Sequence, residues 1–508
     1  MGNIKEQSSN PSLQYVIVGI IVIMFAGYLL LIVNRQGFWH DEIYTLSFIK
    51  GFDIYLFDGS DLNVFDHHNV LWYKDWLKKD MYWINLHRNL IHEGHPPVYY
   101  ILLKLWSYVF GAEETGLRSF SIFTSSLSLI VAYRIGKLIN SRYSIIFPIL
   151  LSSCPLFVYY GTEARSYSLY ILLSELCFYY FLKIVLNRND SKVENRKCIV
   201  ALIFFSTLLF YTHYYGVFFY GVLSTALFVV LMKEKSFKEI GFLIIPCIAF
   251  LPWLGFIKAQ TAVHHDHWTN GFLGFENSIN HFFSGIVTLL LGEFSAADQY
   301  YLLIALIILL LIFINYVANR PINVTHIAFP FLLIAIFGIS IIVFDKLLNH
   351  HTIAVPRYYI PLQFVLIFLL FYMITKGRFG LISILTTGSL LVIFFKIQLD
   401  YYKGIKEPKQ MYREAAAYIS RTYDPNNVDL IISPSGPSAV GIAYYLTENF
   451  AIHSLPAPEI CQVYGQRRKV IVEQRLGLAA EPWMLKCKSD TIKNRTVRFV
   501  GLDIVNEN

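Results

Sequence analysis

The feature that most constrains this chain is the recurrence of long stretches without a single charge. They occur near 12–33, 119–133, 143–161, 198–213, 214–231, 241–257, 300–318, 325–344, 358–375 and 380–395. A run near 166–186 also qualifies, although it contains Glu175. About 20 apolar residues in helical form cross the hydrocarbon core of a bilayer, so the runs predict about eleven spans. Composition agrees. Of 508 residues, 55% are hydrophobic and only 15% are charged, against about 25% charged in an ordinary soluble domain. That leaves too few charges to coat a water-soluble body, which excludes a cytosolic enzyme, a disordered chain and a free nucleic-acid binder. The chain reads as a polytopic α-helical membrane protein.

Residues 12–33 are longer than a signal-peptide core of roughly 15 residues and no A-x-A-like cleavage site follows, so they read as a retained span. The stretch 98–111 differs: 14 residues with Lys104 near the middle make roughly 21 Å of helix against a core of about 30 Å. It reads as a juxtamembrane or re-entrant helix, and 282–292 is likewise too short to cross. With these two left out and Lys5 in the cytoplasm, Arg134, Lys137, Arg142, Lys183, Arg188, Lys192, Arg196, Lys197, Lys233, Lys235, Lys238, Arg320, Lys376 and Arg378 fall on the cytoplasmic side, as basic loops do. The net charge of +7, from 42 basic and 35 acidic residues, then needs no nucleic acid to explain it.

On this topology the long segments 34–117, 258–299, 345–357 and the tail from about 400 share the extracytoplasmic face, with the short turns at 162–165 and His213. Two domains follow: a transmembrane domain over 1–400, whose first outer loop spans 34–117, and a small extracytoplasmic α/β domain over 401–508. In the outer loop, Trp72, Trp76 and Trp83 in the sequence 71–83 fall close to one helical face, suited to a helix in the headgroup plane or to an amphipathic helix on a subdomain. In the tail, KQMYREAAAYISRTY and SAVGIAYYLTENF read as helices, and VDLIISP and VRFVGLDIV as strands. Cys154, Cys177, Cys198 and Cys247 lie in apolar runs and read as buried hydrophobes. Cys461 and Cys487 lie in the tail, where they are either a disulfide or free thiols.

Several polar residues gather at the outer interface. Asp41 and Glu42 follow the first span at once, where a general base can meet a substrate held at the membrane surface, or where two acids simply cap a helix. Glu93, in the sequence His92-Glu93-Gly94-His95-Pro96-Pro97, precedes a helix whose first turn suits the prolines. Arg118, Arg165 and Arg357 stand at the ends of spans on the same face. Arginine grips phosphate oxygens in a bidentate fork, while snorkelling explains any one of them alone. Glu175 lies mid-span, where an ionisable group is a functional candidate or a protonated acid bonded between helices. Asp66-His67-His68, His264-His265-Asp266-His267 and His350-His351 lack the spacing of a zinc motif. No metal ligand set and no cofactor is therefore expected, with a divalent metal as the lesser alternative. No Walker loop or dinucleotide fingerprint is present, and no cytoplasmic loop is long enough for a soluble nucleotide-sugar site. Asn323-Val324-Thr325 and Asn494-Arg495-Thr496 fit the glycosylation sequon.

The order of these elements resembles the GT-C superfamily of integral-membrane glycosyltransferases, and within it the branch of protein O-mannosyltransferases, lipid A aminoarabinose transferases and bacterial enzymes that use polyprenyl-phosphate sugars. The resemblance covers roughly 12–400. It is carried by the Asp41-Glu42 pair after span one, the E-x-H-P-P-x-Y-Y element at Glu93 to Tyr100, the L-R-S-x-S element at Leu117 to Ser121, the Y-Y-G-T-E-A-R-S-Y-S-L element at Tyr159 to Leu169, and Pro356-Arg357-Tyr358. It implies a GT-C fold, a donor sugar on a polyprenyl phosphate, and inversion at the anomeric carbon. The acceptor is a lipid, glycan or protein, and the membrane a bacterial inner or plasma membrane, with the active site on its extracytoplasmic side. Asp41 is then the base, Glu93 orients substrate, Glu42 accompanies them, and His95, Arg118, Arg165 and Arg357 bind substrate. The aminoarabinose branch carries Lys-Pro where this chain has His95-Pro96. A transporter or flippase for lipid-linked sugars, or a polymerase of lipid-linked glycans, is the alternative. The acids sit at one interface and no internal repeat is visible, which disfavours the transporter.

Overall fold

A computed structural model describes residues 11–33, 37–52, 68–92, 94–186, 192–263, 269–292, 299–319, 324–376, 381–402, 411–433, 437–454, 468–474, 495–499 and 502–506. The chain forms two compact units. The first comprises 1–32, 95–99 and 118–406, and the second 33–94, 100–117 and 407–508. The first outer segment thus condenses with the tail rather than with the helices it interrupts.

The first unit is helical. Among the described residues, seven helical stretches are long and apolar enough to cross a membrane: Ser12–Ile32, Glu114–Ile139, Tyr167–Leu186, Gly216–Lys233, Phe237–Ala262, Ala328–Leu348 and Ser383–Asp400. The other four charge-free runs are helical as well, one of them broken and one short. The run 143–161 splits at Cys154 into Ile146–Ser153 and Pro155–Tyr160, because proline has no N–H to continue the ladder and starts a new helix instead. The run 198–213 lies in Lys192–Phe210, whose first turns are charged. The run 300–318 lies in Gln299–Asn319, a helix of 21 residues, and Pro361–Lys376 falls short in length. Phe237–Ala262 bends at Pro246 and Pro252, passing through a 3-10 turn at Leu251–Trp253.

Helix Pro361–Lys376 is the axis of this unit. It packs against Ile146–Ser153, Tyr167–Leu186, Phe275–Leu291, Gln299–Asn319 and Val324–Leu348. Nearly every side chain from Pro361 to Thr375 is buried. A helix apolar on all sides is stable only when surrounded, and its 16 residues reach roughly 24 Å. The outer helices do the opposite: Leu31 is 81% exposed, Leu347 77% and Val392 69%. Apolar faces this open need a lipid solvent. Gly285 lets Phe275–Leu291 approach the Tyr359 ring. A Cβ there would lie 1.7 Å from the Tyr359 hydroxyl.

The second unit holds a six-stranded mixed sheet: β1 (His68–Asn69), β2 (Val428–Ser433), β3 (Ala451–Ser454), β4 (Arg468–Gln474), β5 (Arg495–Phe499) and β6 (Leu502–Asn506), in the order β1-β3-β2-β4-β6-β5. β2 is parallel to β3 and β4, with Leu430 opposite both Ile452 and Val470. Its run Leu430-Ile431-Ile432 is buried, the unalternating pattern of a strand covered on both faces. Helices Tyr412–Thr422 and Pro437–Tyr445 pack together. The closing segment is a hairpin of β5 and β6, not the single strand its alternation predicts. The stretch 71–83 likewise forms two helices, Val70–Lys78 and Tyr82–His92, rather than one. Lys104, in helix Val98–Phe110, is buried and pairs with Asp80, beneath the Tyr108 ring at 4.8 Å. A charge this deep is kept by its partner and by the aromatic face.

Candidate active site

In the first unit, hydroxyl groups fasten two of the sequence elements to each other. The Ser121 hydroxyl donates to the Glu163 carbonyl, and Thr124 Oγ1 donates to Ser168 Oγ at 2.9 Å. Helix Glu114–Ile139, which carries Arg118, is thereby tied to the turn that carries Glu163 and Arg165. Gly161 opens that turn in a tight place: a Cβ would lie 3.0 Å from Leu29 and 3.1 Å from Ser125 Oγ. Arg118 is 4% exposed, Arg165 6% and Glu163 2%. Side chains this polar are not buried without interactions that hold them.

A third element joins through the backbone. Val98 N donates to the Tyr211 carbonyl at 2.9 Å, so the segment His95-Pro96-Pro97 meets the turn 211–215 between helices Lys192–Phe210 and Gly216–Lys233. His213 lies in that turn, 2% exposed. Its ring stacks on Tyr170 at 4.3 Å and 5°, and stands 5.6 Å from His95 and 5.9 Å from Tyr358. Tyr358 stacks in turn on Tyr215 at 5.1 Å.

The fourth element, Pro356-Arg357-Tyr358, sits in a 3-10 turn before the axial helix. Asp345, fully buried, sets its position. Its carboxylate accepts from Thr352 Oγ1 at 2.5 Å and from Ile353 N at 2.8 Å, and Tyr359 Oη donates to the Ile353 carbonyl at 3.2 Å. The preceding residues pair with 269–272: Gly271 N donates to the Asn349 carbonyl at 2.7 Å and His351 N to the Thr269 carbonyl at 2.9 Å.

The result is a basic cluster. Burial pushes the His213 imidazole well below its usual range, and His95, Arg165 and Arg357 push it the same way. The ring is therefore neutral, surrounded by positive charge. Such a place favours an anion, above all one with several oxygens. His95, Arg165 and Arg357 are thus brought together around His213, and Arg118 stands on the helix fastened to the same turn. His213, Glu163, Tyr170 and Tyr358 were not among the expected site residues. The signal for His213 was an ionisable side chain in a short turn between two apolar runs. Glu163 and Tyr170 lie in or next to the Tyr159–Leu169 element. Tyr358 adjoins Arg357.

The acids lie in the second unit. Asp41 and Glu42 occupy the first turn of helix His40–Lys50, where the helix dipole favours negative charge. Glu42 is fully buried and its Oε2 accepts from Trp39 N at 3.3 Å, the return half of a capping box. Asp41 is partly exposed. Beside it His40 Nδ1 lies 3.3 Å from the Tyr412 hydroxyl, and Tyr412, pushed up chiefly by burial, also feels Tyr44 and Asp41. The turn is braced from the tail. Phe38 N donates to Tyr445 Oη at 2.6 Å, Tyr445 donates to Glu114, and Arg413 pairs with Glu114. Gly37 leaves room for this brace, since a Cβ would lie 3.0 Å from both Arg413 Cβ and Tyr445 Oη.

Glu93, His264–His267, Cys461, Cys487, Asn323 and Asn494 lie outside the described residues. Among the described residues no group of three His, Cys, Asp or Glu side chains is close enough to hold a metal. Glu175 is fully buried in helix Tyr167–Leu186 and carries no assignment.

The family profile described as Dolichyl-phosphate-mannose-protein mannosyltransferase matches residues 94–256, the stretch that holds His95, Arg118, Arg165 and His213. No curated protein sequence matches the chain. Among solved structures it is similar to ArnT from Cupriavidus metallidurans, both bound to undecaprenyl phosphate (TM-score 0.58) and in the apo state (0.59). Each pair is 11% identical over 98% of this chain and 99% of that one. The Archaeoglobus fulgidus oligosaccharyltransferase, solved with zinc and sulfate, aligns at a TM-score of 0.45 and 10% identity, over 89% of this chain and 68% of its own. The chain has the GT-C fold.

Proposed function

We propose that the chain is an inverting glycosyltransferase that moves a sugar from a polyprenyl-phosphate donor to a lipid, glycan or protein acceptor on the extracytoplasmic side of a bacterial membrane. The observation that carries this reading is the basic cluster of Arg165, Arg357 and His95 around the neutral His213 ring. A phosphate leaving group gains charge as its bond to the sugar breaks, and fixed positive groups lower that barrier. The matched profile and the ArnT fold, one structure of which holds undecaprenyl phosphate, support a donor of this class.

The step balances as follows. An acceptor oxygen or nitrogen bonds to the anomeric carbon, the bond from that carbon to the phosphate oxygen breaks, and the electron pair leaves with the polyprenyl phosphate. The acceptor's proton passes to Asp41, the exposed member of the acid pair. Glu42 holds the helix turn that presents Asp41. Glu93 is assigned to orienting substrate, and Arg118, Arg165, Arg357 and His95 to binding the phosphate. No step in this chemistry calls for a metal or a bound cofactor.

The test is transfer by purified protein from a set of polyprenyl-phosphate sugars to a membrane lipid extract, wild type against Asp41→Asn. Sugar transferred by wild type and lost in the variant supports the reading. Equal transfer by both removes Asp41 as the base. Movement of lipid-linked sugar across vesicles with no transfer would replace the transferase with a flippase.

A further inference from the structure

His213 is the most deeply placed polar ring of the basic cluster, and both of its ring nitrogens are buried without a hydrogen-bond partner. Leaving such groups unsatisfied is costly, so a native structure rarely keeps two on one side chain. Packing alone does not call for a histidine here. Tyr170 would stack equally well on a phenylalanine, and a ring without nitrogens would avoid the penalty. The groups facing His213 come from every packed element: His95 before helix Val98–Phe110, Arg165 and Tyr167 at the turn into Tyr167–Leu186, Tyr170 on that helix, Tyr215 in its own turn, and Arg357 and Tyr358 before the axial helix. Among these described groups three are basic and none is an acid.

We propose that the His213 imidazole is a direct contact of the donor's phosphate, giving its ring N–H to an anionic oxygen from its seat on Tyr170. This deepens the proposed function and rests on reading the cluster as a phosphate site. The choice of residue has a physical reason. A lysine or a further arginine would add a like charge to a place that already holds Arg165 and Arg357, whereas a neutral imidazole keeps one donor and adds none. The phosphate then satisfies one of the two nitrogens that the fold leaves open. The ligand chemistry is a phosphate ester, a diester in the donor and a monoester in the polyprenyl phosphate released; farnesyl phosphate stands for the released lipid, and a free phosphate ion for the headgroup alone.

The experiment uses the full-length protein in detergent and measures binding of farnesyl phosphate and of inorganic phosphate by calorimetry. His213→Phe keeps the stack and removes the donor; His213→Gln restores a donor; Arg165→Met tests the cluster itself. The expected result is farnesyl phosphate bound by wild type, bound about tenfold or more weakly by His213→Phe, and recovered to within a few fold by His213→Gln. Binding unchanged in His213→Phe, or weakened equally in both His213 variants, overturns the contact and leaves the arginine reading in place. Absence of binding in wild type overturns the phosphate site and the contact with it. Inorganic phosphate bound as tightly as farnesyl phosphate overturns the lipid assignment. Should His213→Phe not fold, 15N-histidine spectra of the wild type decide the matter. The ring signal that vanishes in His213→Gln must move when farnesyl phosphate is added, and a fixed signal overturns the proposal.

Discussion

Each unit holds an arginine in place, and the two do so by opposite means. In the second unit Arg413 meets Glu114, which also takes the Tyr445 hydroxyl. The charges cancel where they sit, and the group braces a turn. In the first unit Arg165 and Arg357 bear with His95 on one neutral ring, so charge of one sign accumulates among aromatic faces. An ion pair with its own counter-charge is a structural joint. Basic side chains grouped around a neutral ring favour an anion. On the proposed reading, that difference is the one between scaffold and binding site.

Mutations break the comparison at graded depth. The largest effect belongs to Asp41→Asn, which removes the proposed base and is expected to lower transfer by about 10²- to 10⁴-fold while farnesyl phosphate still binds. Next is Glu114→Ala. It strips Arg413 and Tyr445 of their shared partner and is expected to destabilise the second unit by about 1–3 kcal/mol, the partial exposure of Arg413 having been discounted. Limited proteolysis should then cut the tail before the helical unit. Arg165→Met should instead leave thermal stability close to wild type and weaken farnesyl phosphate about tenfold, the loss of one charged hydrogen bond. If Arg165→Met unfolds the protein and Glu114→Ala only weakens the ligand, the division into joint and site is wrong.

The smallest effect is a pH dependence. The folded pKa of His213 lies below the ordinary value near 6.5, so the unfolded chain binds more protons as pH falls beneath that value. The neutral buried ring contributes its stability fully above about pH 6.5, and that stability declines below it by at most about 1.4 kcal/mol per pH unit. Melting curves of wild type and His213→Gln should diverge only in the acid range. Curves that stay parallel from pH 7.5 to 5 would show that the ring is not a buried neutral group.

The helical unit was legible because an absence of charge is a local signal that survives any tertiary context. The breaks were written there as well, in Pro155, Pro246 and Pro252, but run length alone passed over them. The final hairpin was written in the sequence, since the alternating phase shifts across Val500-Gly501, but reading 497–505 as one strand passed over that shift. Of the site, Arg118, Arg165 and Arg357 stood out by position at the ends of apolar runs. His213 did not, since a histidine in a short turn looks like any interfacial polar residue until its neighbours are known. Glu42 was legible as an acid and, in the alternative reading, as a helix cap; its partner, the backbone of Trp39, was not. Glu114 acts through Arg413 and Tyr445, 299 and 331 residues away, and no window contains both halves; Asp345 reaches Thr352 and Ile353 within one window, but only the folded turn shows that they meet.

The two-residue strand β1 carries a consequence in time. His68 pairs with Ile452 and Asn69 with Ala451, about 380 residues farther along the chain. At roughly 5–20 residues per second, the ribosome delivers that partner only about 20–80 s after the first segment has emerged. For the whole of that interval the outer segment has a sheet edge to offer and nothing to offer it to. Most of the helical unit is synthesised meanwhile. Whatever keeps that edge from pairing elsewhere is therefore as much a condition of a functional molecule as any residue in its site.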